Sequence, residues 1–205
     1  MNKAGKLNRK TVQLTELALL TALLMVLTIF NIGFINYGVI SITILHIPVI
    51  IGSILMGPYY GGILGLIFGV LSMLNATFRG VTPVDLMFSP FASGLPLQSI
   101  VMSVVPRVLL GVIPALLYRL LHKKIKNRPV VIGISAAVAS LLHTAGVLGC
   151  LYFMFFPEMN AGTVFSAVIG AVVQINGILE IICAVVISSA VCSGVMSYMR
   201  NQYDW

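Results

Sequence analysis

Apolar runs, each about as long as a bilayer is thick, constrain this chain more than any motif. Cut at its glycines, prolines and charge clusters, the sequence separates into six stretches, at about 13–30, 39–56, 59–77, 99–121, 130–155 and 164–198. A helix that crosses the hydrocarbon core needs roughly 20 apolar residues. Only 8% of the 205 residues are charged and 59% are hydrophobic, whereas about a quarter of a soluble domain is charged. Such a chain cannot cover its apolar side chains with polar ones, so lipid must be its solvent. The expectation is an all-α integral membrane protein of six transmembrane helices, forming a single membrane domain over residues 1–205.

Met56-Gly57-Pro58-Tyr59 divides the second stretch from the third without a charge, as a kink or a tight hairpin would. The last stretch exceeds one perpendicular span, so its first ten residues are expected to be a tilted extension or an external shoulder. At the other end, residues 14–30 outrun a signal-peptide apolar region, and Asn31-Ile32-Gly33 offers no small-x-small cleavage site. A retained first helix is expected.

The formal net charge is +7, which in a soluble protein would suggest nucleic acid. Here the basic residues flank apolar runs and are not interleaved with exposed aromatics, so a nucleic-acid partner is excluded. Lys3, Lys6, Arg9 and Lys10 precede the first helix, Arg119, Lys123, Lys124, Lys126 and Arg128 follow the fourth, and Arg200 follows the sixth. The loops on the other side hold only Arg79, Asp85 and Glu158. The positive-inside rule then puts both termini in the cytoplasm. Cys150, Cys183 and Cys192 are odd in number and lack metal-ligand spacing; no metal and no cofactor is expected.

Polar residues inside the spans each cost a few kcal/mol at the bilayer centre and need a reason. Glu16 is near enough to the cytoplasmic end to snorkel. Arg107 stands twelve residues before Arg119, about 18 Å along a helix, and the adjacent Pro106 frees backbone carbonyls for a guanidinium or a ligand. It reads as a ligand partner, half of a buried ion pair, or an outward-snorkelling residue. Glu180 and Asn176 are one turn apart, with Gln174 and Gly177 beside them, either as a site for hydroxyls and a carbonyl or as an interhelical clamp. His143 with Thr144, and His46 ahead of Pro48, are packing residues or ligands; His122 belongs to the basic loop.

The external connection from Arg79 to Pro96 is richer in Leu, Met and Phe than in charge. Such a loop folds back over protein and suits a lid, because irregular backbone at membrane depth is tolerated where it lines a cavity. Residues 31–41, with Asn31, Asn36 and Tyr37, suit a second wall. Tyr37, Phe78 and Phe88 are aromatics able to stack on a ring. Small residues recur every fourth position at Ala18 and Ala22, and at Gly61, Gly65 and Gly69, which permits close helix packing. The glycine ridge is read as internal, and the alanine pair as internal or as an outward docking face.

Several machines are absent from the sequence. It holds no G-x-x-x-x-G-K-[ST] phosphate loop and no H-E-x-x-H metal motif. Phe91-Ala92-Ser93-Gly94 lacks the first glycine of a rhomboid-like G-x-S-G. Nor do two halves with matching broken helices mark an inverted-repeat transporter. The chain reads as a non-enzymatic binding subunit that borrows its motor; the alternatives are a self-sufficient small secondary transporter and a structural or assembly protein.

Five segments together resemble the substrate-binding (S) components of energy-coupling factor (ECF) vitamin transporters, in particular the pantothenate-type branch. Ala18-Leu19-Leu20-Thr21-Ala22 resembles the A-x-x-x-A motif of the first helix, and residues 47–69 the signature of the second and third. Val104-Val105-Pro106-Arg107 with Gly111 resembles the P-R helix, residues 143–152 the fifth helix, and Asn176-Gly177-Ile178-Leu179-Glu180 the N-G-x-x-E segment of the sixth. His143-Thr144 departs from the Thr-Asn that the pattern would place there. The resemblance implies an S-component-like six-helix bundle in the cell membrane, with a vitamin site near the external face under the loops. It also implies a transmembrane coupling subunit that Ala18 and Ala22 would face, and two ATPase subunits that would hydrolyse ATP. Pantothenate carries a carboxylate, two hydroxyls and an amide, which Arg107 or Arg79, Asn176 and Glu180 can match, with His143 and Asn36 as further candidates. Riboflavin, folate and niacin are the other vitamins the resemblance leaves open.

Overall fold

The computed structural model describes residues 9–30, 34–37, 40–80, 83–156, 162 and 175–202, with the backbone alone at 34–37, 40–43, 175, 176 and 199–202. The elements run α1 (Arg9–Ile29), β1 (Phe34–Tyr37), β2 (Ile40–Thr43), α2 (His46–Met56), α3 (Pro58–Arg79), α4 (Pro83–Met87), α5 (Pro96–His122), α6 (Arg128–Phe155) and α7 (Ile175–Gln202). Helix dominates. Five helices, α1, α3, α5, α6 and α7, are long and apolar enough to cross a membrane, and α2 is a shorter apolar helix.

The second expected span differs from its forecast. Residues 40–43 pair as a strand with β1, antiparallel, with Asn36 opposite Ser41 and Tyr37 opposite Ile40. The β-branched Ile40, Ile42 and Thr43 favour a pleated backbone, so the helix begins only at His46. Its eleven residues rise about 16 Å, too little for a full crossing. Ten of those eleven are buried, as expected for a helix that is apolar all round and enclosed by others. Indeed α2 packs against α1, α3, α5 and α7 and is the centre of the core, with Val49 and Ile50 wholly enclosed. The outer surfaces are apolar too: Leu19, Leu74, Leu120 and Val186 all face outward, the distribution of a chain dissolved in lipid.

The α2–α3 junction is a tight break. Gly57 has φ of 97°, a left-handed value that a side chain disfavours, and its N–H donates to the Ser53 carbonyl at 2.9 Å. A β-carbon there would meet the Arg119 guanidinium. Nearby, Gln13 Nε2 donates to the Met56 carbonyl, 3.2 Å away, and so ties α1 to the end of α2.

The glycine ridge explains the close packing of α3 against α5. β-carbons on Gly61, Gly65 and Gly69 would land on the carbonyl oxygens of Gly111, Arg107 and Ser103, so α3 and α5 approach backbone to backbone, as small residues allow. Ser53 Oγ accepts from the Ala115 N–H at 3.1 Å, next to Pro114, where the α5 ladder is already interrupted. Ala18 and Ala22 are exposed, whereas Leu20, Leu24 and Thr28 form the inward side of α1.

Candidate functional site

Pro106 has no N–H, so the Met102 carbonyl one turn earlier loses its helical donor. The neighbouring Arg107 supplies one: Nη1 donates to Met102 O at 3.2 Å and to Ser103 O at 2.9 Å. The side chain therefore runs back along its own helix. Its other terminal nitrogen, Nη2, donates to Ser72 Oγ on α3 at 3.0 Å. Arg107 is only 6% exposed, and its Cζ lies 5.0 Å from the Phe68 ring centroid and 5.2 Å from that of Phe88. Two aromatic faces thus stabilise a cation held out of water.

Among the described residues this cation has no anion beside it, and its Nε–H is buried without an acceptor. A guanidinium carries five donors, three of which are accounted for above. Buried polar atoms without partners are few in native proteins and call for an explanation. His143 Nδ1 and, on α3, Asn75 Oδ1 are further examples among the described residues. The His143 ring centroid is 6.0 Å from that of Phe68, and His143 also lies within electrostatic reach of Arg107 and His46. Phe68 is therefore the hub between Arg107 on α5 and His143 on α6.

The loop between α3 and α5 closes one side of this group. Thr77 Oγ1 lies 2.8 Å from Ser89 Oγ, and Ser89 Oγ accepts the N–H groups of Phe91 and Ala92 at 3.3 and 3.2 Å. Ser99 Oγ donates to the Met87 carbonyl at 2.6 Å, and Ser103 Oγ to that of Phe88 at 3.2 Å. These bonds satisfy the irregular backbone internally and fix Phe88 over Arg107. Only the middle of the loop, Phe88 and the buried Ser89, folds back over protein, while Val84, Phe91 and Leu95 stay exposed; Phe88 is its contribution to the site.

The other candidates lie apart or out of view. Arg79 Nη1 donates to the last carbonyls of α1, Thr28 O at 3.3 Å and Ile29 O at 2.6 Å, where a cation also meets the negative end of the helix dipole. Glu180 is half-buried on α7, which packs on α6 and α2. The side chains of Asn36, Tyr37 and Asn176 lie outside the described residues, as do Asn31, Glu158 and Gln174. Phe78 points outward, 80% exposed, and His122 stacks on Tyr118 with centroids 5.3 Å apart. Sequence reasoning missed Phe68 and Ser72, which both touch Arg107. Their spacing of four residues puts them on one α3 face, a signal that the more conspicuous glycine ridge overshadows.

Lipid-facing helices enclosing a guanidinium with unused donors define a multi-pass membrane protein with a polar group built into its interior. The family model described as "ECF transporter, substrate-specific component" matches residues 12–192, and the chain belongs to that family. It is 31% identical over 193 residues to the pantothenic acid transporter PanT of Lactococcus lactis subsp. cremoris (strain MG1363), covering 90% of this chain and 94% of that protein. The chain is accordingly a multi-pass bacterial membrane protein that serves vitamin uptake as a substrate-binding rather than an enzymatic subunit.

Proposed function

We propose that this subunit binds pantothenate and delivers it through an ECF-type complex whose transmembrane coupling subunit and two ATPase subunits supply the energy. The observation that carries this reading is Arg107: a buried cation with spare donors and no carboxylate partner among the described residues, which a solute carboxylate would complete through charge-assisted hydrogen bonds. The relative that transports pantothenic acid adds to it. Arg107 takes the carboxylate in preference to Arg79, because Arg79 is engaged at the end of α1. His143, Asn176 and Glu180 serve the hydroxyls and the amide carbonyl, and Asn36 belongs to the external wall. The whole chain forms one membrane domain with six crossings and both termini cytoplasmic. The second crossing combines α2 with the hairpin before it, since non-helical backbone is tolerated there when buried in protein.

A binding panel on the purified protein tests the substrate. Pantothenate is expected to bind more tightly than riboflavin, folate, nicotinate or biotin, and Glu180→Gln to weaken it about tenfold, the value of one charged hydrogen bond. Preference for another vitamin would remove pantothenate. Liposomes containing the chain alone should show no concentrative uptake; uptake driven by an ion gradient would establish a secondary transporter instead.

Docking is tested on α1. Ala18 and Ala22 stand on its exposed side, so Trp at both positions should leave pantothenate affinity intact while abolishing assembly with the coupling subunit and transport. Loss of folding in the isolated subunit would mark the pair as internal packing.

A further inference from the structure

Asn75 is a buried polar group on α3 that the proposed division of labour does not use. It sits on α3 with its Oδ1 enclosed and without a hydrogen-bond partner, although an amide oxygen left unpaired costs about 1–3 kcal/mol. No helix-capping or loop role accounts for it, since it lies inside α3, four residues before the helix ends at Arg79. Position relates it to the cation: Asn75 follows Ser72 by three residues, and Ser72 Oγ receives the Arg107 Nη2–H. Two residues so spaced share a face and are separated by about 4.5 Å along the axis.

We propose that Asn75 is a specificity-determining residue of this site, its Oδ1 accepting the amide N–H of the solute whose carboxylate Arg107 holds. This rests on the pantothenate reading above. In pantothenate two methylenes separate the carboxylate carbon from the amide nitrogen, roughly 4 Å end to end, close to the rise from Ser72 to Asn75. Oδ1 is an acceptor only, so the matching group must be a donor, and the amide N–H is the donor nearest the carboxylate. With the solute in place, both Arg107 and Asn75 gain the partners they lack.

The experiment compares pantothenate with its ester analogue, in which oxygen replaces the amide N–H, on wild type, Asn75→Leu and Asn75→Ala in detergent. Wild type is expected to prefer the amide about tenfold, because the ester oxygen faces Oδ1 with no proton between them. Both variants should lose that preference, the amide weakening while the ester holds or improves. Asn75→Ala keeps the test open if Asn75→Leu fails to fold. An amide-to-ester ratio that is unchanged in the variants, or absent in wild type, overturns the role of Asn75 while tight pantothenate binding leaves the substrate standing. Failure of wild type to bind pantothenate at all overturns both.

Discussion

Methionine in place of Arg107 is expected to weaken pantothenate binding at least about a hundredfold while leaving the solute-free protein no less stable. Two charge-assisted hydrogen bonds to a carboxylate, at about 1.5–3 kcal/mol each, set the scale of the loss. The stability half of the expectation follows from burial. A cation without a carboxylate partner among the described residues, in an interior lined by Phe68 and Phe88, contributes little net stability, and an apolar chain of similar length is often neutral or better. The cost is the Met102 carbonyl, which regains no donor because Pro106 cannot provide one. Calorimetric titration and a thermal melt of the purified subunit read the two halves separately. Retained binding, or a collapse of the melt, would make Arg107 a structural strut.

The second large effect lies one layer away. Gly65→Ala adds a single methyl, yet its β-carbon would sit on the Arg107 carbonyl, with the Val108 α-carbon also in the way. Neither is a side-chain tip that can rotate aside, so α3 and α5 must separate. Overpacking of this kind costs about 1–3 kcal/mol, and the shift falls on the backbone that aims Arg107. Binding should therefore drop together with stability. Gly62→Ala is the control: its β-carbon meets only Val112 Cγ2, at 3.4 Å, and alanine gains about 1 kcal/mol of helix propensity. Equal melting temperatures for the two variants would refute the close approach.

Membrane residence was legible because apolar content is a property of whole segments and survives errors at any boundary. The Arg107 environment was legible in part: proline beside arginine deep in a span implies free carbonyls, and Met102 O takes that role. Its anchors were not. Serine and asparagine are unremarkable within helices, and only the phase of α3 against α5, fixed by glycine contacts, turns Ser72 toward the guanidinium. The capping of α1 by Arg79 joins residues about fifty positions apart, which spacing along one helix cannot reveal. The start of α2 was misjudged over residues 40–43, because β-branched apolar residues suit a strand and a buried helix equally by hydropathy.

The backbone contact between α3 and α5 also has a kinetic meaning. Ser72, Phe68 and Arg107 stand on two helices with no side-chain layer between them to slip or repack, so their spacing is set before any solute arrives and little ordering entropy is lost on capture. Any movement that admits the solute must then fall to elements joined through side chains, such as α1, which Gln13 ties to α2 and Arg79 to α3.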